Sequence, residues 1–413
     1  MTRWLPLCLL LLAWPALAAP TPAERLIADA TRRVEATPDQ AAAHTALAMA
    51  LARRARETAD AALYDRALVS LERADELAPD DFDAARTRVW VLLGKHEFAA
   101  ALTAATALNV RYPDDLMTYA LLVDANIELG RYADAETAAQ WLLDLRPGNI
   151  PGLTRAAYLR ELYGDLDGSI ELMLQALQRT APAETEDRAW LLTQVSHLQL
   201  QAGRVDLAGR AVTDALTLFP GYHYALHQLA QVRGAQGRFD DALAVRRQHF
   251  AAAPHPENRL WLARALARAG HADEAAREFV AFAQGARAES TNGDNANREL
   301  VDYLADEGQD PKAALALAER EFEHRQDIQT RTALAQALAG NGRHADAWRQ
   351  MQAVLAVGTR DPALLYRAGF IAATAGEDVR ARDLLREALA LAPWHPSAAS
   401  AAARLADTLV STR

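Results

Sequence analysis

Apolar residues recur along this chain in Ala/Leu-rich runs of helical period. LLVDANIEL (121–129) and LWLARALARA (260–269) are two of them. Each run closes on a glycine, and a second amphipathic run follows, as in ADAETAAQWLLDL (133–145). Apolar positions three and four apart predict helices with one buried face. The glycines are Gly94, Gly130, Gly164, Gly203, Gly237, Gly270, Gly308, Gly342 and Gly376, and five of the eight gaps between them are 33 or 34 residues. The two longest gaps, 39 and 38 residues, hold insertions at APAETED (181–187) and ARAESTNGDNAN (286–297). Glycine suits the left-handed end of a first helix. Two places on come the apolar plugs Tyr132, Val205 and Phe239, with Phe98 as the plug after Gly94. Ala135, Ala208, Ala242, Ala275, Ala347 and Ala381 then start the second helix, where a small side chain lets two antiparallel helices approach. Prolines at 79, 113 and 147, and at 220 and 254, keep the same 34-residue spacing. Proline ends one helix and suits the first turn of the next.

A 34-residue helix–turn–helix unit with G-x-aromatic-x-x-A and a closing proline resembles the tetratricopeptide repeat (TPR). The segment LLYRAGFIAATAGEDVRARDLLREALALAPWHP (364–396) matches best, with Leu365, Ala368, Gly369, Ala372, Gly376, Ala381, Leu385, Ala388 and Pro393 on family positions. The resemblance covers about residues 40–393 and extends to secreted bacterial TPR proteins of unassigned role. It implies an all-α, right-handed α-solenoid of nine to ten helix pairs with a C-terminal capping helix. Each repeat is expected to touch mainly its neighbours, giving an elongated or crescent particle. The expected division is a signal peptide (1–18), an N-terminal helix (19–38), a first repeat block (39–282), an insertion loop (283–297), a second block (298–393) and a cap (394–413). Two units depart from the pattern. Ser169 replaces the usual alanine, and the first unit has a longer turn, RARETADAALYDR, without glycine.

The N-terminus changes the picture of location. Arg3, an apolar run from Leu5 to Pro15 and the small-residue site Ala16-Leu17-Ala18 read as a secretory signal, with the mature chain starting near Ala19. Thr21-Pro22-Ala23-Glu24 reads as a capping box opening a helix just beyond it. Cys8 is the only cysteine and lies inside that signal, so the mature chain is expected to hold neither disulfides nor thiol chemistry. No later segment is apolar enough to span a bilayer. A periplasmic or secreted protein is therefore expected. At 51% hydrophobic and 24% charged residues the composition is that of a folded chain, and the net charge of −10 lacks the basic stripe a nucleic-acid binder needs.

Catalytic motifs are missing: there is no GxxxxGK[ST] loop, GxSxG elbow or HExxH helix. Adjacent Ser196 and His197 point to different sides of a helix and make no nucleophile–base pair. His223 and His227 share a helical face, but a metal needs further ligands. STNGDNAN (290–297) lacks the spacing of a calcium loop and reads as a connection between repeats. No cofactor is implied. Arg382, Asp383, Arg386 and Glu387 read as a solvated face, and Tyr119 and Trp141 as core.

In TPR proteins the first helix of each repeat lines a concave groove, and the resemblance carries that geometry here through the glycine register. It gives Trp190, Thr193, His197, Leu200 and Gln201, then Tyr224, His227, Gln231 and Ala235, then Leu260, Arg264 and Arg268, with Thr332, Gln336, Tyr366 and Phe370 further on. The expected partner-binding patch is Trp190, His197, Tyr224, His227, Gln231, Arg264 and Arg268, since aromatics and arginine are enriched in binding hot spots. Trp190 and Tyr224 also suit a seam between repeats. The expected function is an exported, non-catalytic scaffold binding a protein or peptide, in envelope assembly or secretion. The alternative is a polysaccharide-handling role in an exopolysaccharide export system.

Overall fold

The computed structural model of the chain describes residues 20–293 and 295–410, with side chains through residue 406. The expected signal peptide and the start at Ala19 lie outside these residues. Among the described residues there are twenty-two helices and no strand. Helix α1 (Pro22–Ala36) packs on the first hairpin, where the Thr21 hydroxyl donates to Glu57 at 2.7 Å. Ten antiparallel hairpins follow. The first three are α2 (Ala41–Thr58) with α3 (Ala62–Leu77), α4 (Phe82–Gly94) with α5 (Phe98–Arg111), and α6 (Leu116–Glu128) with α7 (Tyr132–Leu145). Next come α8 (Ile150–Leu162) with α9 (Leu166–Arg179), α10 (Thr185–Gln201) with α11 (Val205–Leu218), and α12 (His223–Ala235) with α13 (Phe239–Ala252). The last four are α14 (Pro256–Arg268) with α15 (Ala272–Ala288), α16 (Asn297–Asp306) with α17 (Pro311–His324), α18 (Ile328–Gly340) with α19 (His344–Ala356), and α20 (Pro362–Thr374) with α21 (Asp378–Leu391). Helix α22 (Ala398–Val410) closes the array.

The capping box forms as expected: the Thr21 hydroxyl accepts from the Glu24 amide at 3.2 Å and the Thr21 amide donates to Glu24 at 2.8 Å. The turn chemistry recurs along the array. At Gly130, φ +70, the next amide, Arg131, donates back to the Asn126 carbonyl at 2.8 Å, the long closing bond of a glycine-terminated helix. Gly94 and Gly308 do not take this role. His96 (φ 60) and Gln309 (φ 49) hold the left-handed position instead. Phe98 then follows His96 at the usual two places and is buried. The first hairpin also departs from expectation. Helix α2 runs on to Thr58, and the turn is tight because Ala59 adopts φ 56. The long sequence interval is an extra helical turn, not a longer loop.

The six small residues opening the second helices are all buried. Ser169 sits in the same kind of place at 0% exposure, with its hydroxyl unpaired. The first insertion mostly extends α10 by a turn at its N-terminus, and α15 continues through Ala288, leaving 289–296 as the connection to α16.

The repeats do not touch only their neighbours. The largest core cluster joins residues 89–162 directly to residues 260–401. The array is a superhelix whose successive turns lie in contact, and this replaces the open crescent. One seam sets the end of α2 on the start of α10: Arg53 meets Glu184 at 2.6 Å, and Arg56 meets Glu186 and, at 2.6 Å, Asp187. Glu186 is fully buried and also accepts from the Tyr222 hydroxyl at 2.6 Å. The extension of α10 supplies these carboxylates. A second seam sets the turns after α6, α8 and α10 on the loops before α18, α20 and α22. The Gln326 amide donates to the Glu128 carbonyl at 3.4 Å, and Arg325 pairs with Glu128. The backbones approach closely there. A Cβ on Gly164 would lie 2.5 Å from the Gly358 carbonyl oxygen.

Candidate functional site

Helix α8 carries Glu161, and helices α10, α12 and α14 carry residues that the register assigns to the groove. His197 donates from Nε2 to Glu161 Oε1 at 2.9 Å, and the Gln201 amide donates to the same oxygen at 3.1 Å. Burial alone would lower the His197 pKa, but the Glu161 carboxylate outweighs it and leaves the imidazole raised above its usual range. Ser196 points away, fully buried, and donates to the Ala208 carbonyl.

His227 is the hub of the next level. Its Nδ1 accepts from Arg246 Nη1 at 2.9 Å, and the Gln231 amide group lies 2.6 Å from its Nε2. The Gln231 atom facing that nitrogen is its amide Nε2. The ring stands edge-on to Trp261, centroids 5.5 Å apart, and to His249 at 5.3 Å. Burial, with Arg246 and His249 beside it, pushes His227 well below the usual imidazole value. On the far side, Arg264 reaches over the same indole at 5.7 Å and grips Glu307 through two bonds, at 2.8 and 3.1 Å.

The seven expected residues therefore divide. His227 and Arg264 meet at Trp261, Gln231 bonds to His227, and His197 is near enough to contribute to the depression of His227. Arg268 belongs to the second seam. It lies 4.5 Å over the Phe239 ring and donates to the Trp394 carbonyl at 3.1 Å. Trp190 packs, partly buried, against two core clusters at once. Tyr224 is 41% exposed, with its ring 4.0 Å from that of His223 and 5.5 Å from that of Tyr222. Five other groove positions are buried: Thr193, Gln201, Leu260, Thr332 and Tyr366, and the Tyr366 hydroxyl donates to the Ala392 carbonyl at 3.0 Å. Trp141 is the reverse case. Expected in the core, it is 54% exposed and stacks on Tyr119 at 6.4 Å.

Sequence reasoning missed Trp261, Arg246 and His249. The last two stood out in the register: they are nine and twelve places after Gly237, where the hairpin before has Val212 and Ala215 after Gly203.

His223 and His227 do not converge on a metal. His223 donates to the Arg56 carbonyl at 3.0 Å, and among the described residues no group of three or more His, Cys, Asp or Glu could hold an ion. No described helix is long and apolar enough to cross a membrane.

Human IFIT1, solved as a dimer with PPP-AAAA and as a dimer with m7Gppp-AAAA, has a TM-score of 0.50 to this chain at 15% and 14% identity, each covering 91% of this chain and 96% of that one. The fold is that of the tetratricopeptide-repeat proteins. TTC0263 of Thermus thermophilus, a TPR protein, shares 24% identity over 41% of this chain and 91% of its own, with a TM-score of 0.38. The pilF protein of Pseudomonas aeruginosa shares 14% over 49% and 90%, with a TM-score of 0.40. No family model and no curated protein matches the chain. At these identities the likeness concerns the TPR fold alone.

Proposed function

We propose that this protein is an exported, non-catalytic scaffold that binds a protein or peptide on the inner face of its TPR superhelix, in envelope assembly or secretion. The observation that carries the reading is the meeting of His227 and Arg264 at the Trp261 indole, with Gln231 bonded to His227. An aromatic flanked by arginine and amide donors is the make-up of a binding hot spot. His197 extends that patch along α10. Tyr224, exposed beside it, is the proposed entry contact, and Trp190 and Arg268 complete the set at its edges. The apolar N-terminal run and small-residue site support export. No nucleophile–base pair is part of the patch, which supports a binding role over catalysis.

The alternative partner is a polysaccharide. The exposed Trp141, backed by Tyr119, favours it as an aromatic platform of the kind that presents a flat apolar face with a polar edge.

Site-specific crosslinking from position 224 in whole cells, followed by mass spectrometry, tests the protein reading. The expected result is one dominant protein adduct that disappears with Arg264→Glu. A chain that instead binds oligosaccharides on a glycan array, with binding lost in Trp141→Ala, moves the function to the alternative. Fractionation of the same cells tests export: the chain in the cytosol would refute it.

A further inference from the structure

Nine and twelve places after the turn glycine, the second helix of a hairpin faces the core. Val212 and Ala215 hold these places in the fifth hairpin, and Met351 and Val354 hold them in the ninth, all at 0% exposure. In the sixth hairpin the same places hold Arg246, 5% exposed, and His249, 2% exposed. Arg246 is the one arginine among the described residues that is buried to this degree. Other inward arginines are met by carboxylates: Arg155 by Asp124 and Arg325 by Glu128 and Asp327. Arg246 has no carboxylate partner among the described residues. Its contacts are His227 Nδ1 and the face of Trp261, 5.4 Å from the ring centre.

A buried cation without a counter-charge is heavily penalised, and replacing such groups by apolar ones often stabilises a protein. Burial pushes Arg246 down to about 9 and, with Arg246 and His223 nearby, His249 down to about 3. The His249 Nδ1 atom is a second, independent sign. It is buried and has no hydrogen-bond partner, which is rare for a polar atom in a native core. The cation lacks an anionic partner, and the imidazole beside it has a nitrogen to spare.

We propose that Arg246, His249 and His227 form an anion-binding centre in the sixth hairpin, which takes the oxygens of a carboxylate or phosphate. The planar guanidinium offers paired N–H donors suited to either group. His249, in the tautomer with Nδ1–H, offers a third donor. His227 keeps Arg246 in place by accepting from it, and Trp261 roofs the guanidinium and joins the centre to the inner-face patch. Only the source of the anion rests on the function proposed above: an acidic residue of the partner, or a free ion.

The test is thermal melting of the full chain at fixed ionic strength, titrated with sodium acetate, inorganic phosphate or a short oligo-glutamate peptide against sodium chloride. A saturable rise in Tm of about 2 °C or more is expected. Arg246→Met, which restores the apolar pattern, should melt higher than the parent in chloride alone and show no response to the anions. Should that variant fail to fold, Arg246→Lys keeps the charge without the fork and should shift the titration midpoint at least tenfold. A response to acetate and phosphate identifies a free-ion site. A response to oligo-glutamate alone identifies a partner's side chain. No response to any of the three, or an equal response in the variants, overturns the centre. Crosslinking at position 224 is unaffected by that failure, so the scaffold reading stands or falls separately.

Discussion

The Ile328 amide donates to the Tyr132 hydroxyl at 2.8 Å, joining residues 196 positions apart. A linear stack of hairpins has no use for such a bond. It exists because the start of α18 has come round, one superhelical turn later, onto the turn that follows α6. Burial and the nearby Asp327 hold this phenol far above its ordinary pKa, so the hydroxyl stays neutral throughout the range in which the protein folds. The shape of the particle thus depends on seams that neighbour-only packing would not include.

Gly130→Ala should separate seam from turn. Alanine at φ +70 costs about 1 kcal/mol wherever it occurs. At Gly130 the new methyl would also lie 2.5 Å from the Gln326 carbonyl oxygen, whereas at Gly376, φ +83, nothing lies within 4 Å. Gly376→Ala should therefore lose about the strain alone. Gly130→Ala should lose more and show a larger radius of gyration by small-angle scattering. Equal radii and equal melting in the two variants would show that the seam does not hold in solution.

The first seam predicts a double-mutant signature. Arg56→Met leaves the Glu186 carboxylate buried without its cation, a loss of about 3 kcal/mol or more. Adding Glu186→Leu removes the stranded charge and should recover much of the stability. Hydrogen exchange should show α1 to α3 opening first in the single variant. Additive losses in the double variant would contradict the pairing.

The hairpin period was legible because one turn chemistry serves almost every unit, and glycine marks it. It failed locally at Gly94 and Gly308, where His96 and Gln309 take the left-handed place at some conformational cost that the pattern does not reveal. The seams were not legible, since no motif encodes a contact between residues 126 to 197 positions apart. Their consequences reach the site. Tyr366 occupies a groove position by register yet is buried with its hydroxyl on the Ala392 carbonyl, and Arg268 spends its guanidinium on the Trp394 carbonyl. His227, Gln231 and Arg264 lie close together because they follow the register on adjacent first helices. Arg246 and His249 were overlooked because only first-helix positions were considered for the groove, although two polar residues on core positions are themselves the signal.

The histidines predict the acid limb of stability. His249 is neutral in the fold, with its pKa lowered to about 3 by burial, Arg246 and His223, and it regains an ordinary value near 6.5 on unfolding. Its folded pKa is depressed, so it contributes stability above the unfolded value. That contribution is lost as pH falls from about 6.5 towards 3, while the unfolded chain takes up the proton. His249→Phe should flatten this limb by up to about 1.4 kcal/mol per pH unit. His223 and His227 are lowered too and keep part of the slope. His197, raised by Glu161, acts in the opposite sense: its contribution is present at low pH and fades as pH rises through its folded value. Urea titrations at pH 4.5, 5.5 and 7 measure the slopes, and an unchanged limb in His249→Phe would refute the assignment.

Trp190 and Tyr224 should part company when each is cut to alanine. Trp190 bridges two core clusters, so Trp190→Ala opens a cavity at the seam between the fifth hairpin and its neighbours and should cost about 2 kcal/mol or more of stability. Tyr224 has 41% of its surface exposed, and its ring meets those of His223 and Tyr222. Tyr224→Ala should change melting by less than about 1 kcal/mol. If Tyr224 is the entry contact of the inner-face patch, the same change should weaken the crosslinked partner by about 2 kcal/mol, an anchor's share. Affinity and melting measured together on both variants decide this. A Tyr224→Ala chain that melts early and binds normally makes the tyrosine a packing residue. A chain that melts like the parent and binds weakly makes it part of the site.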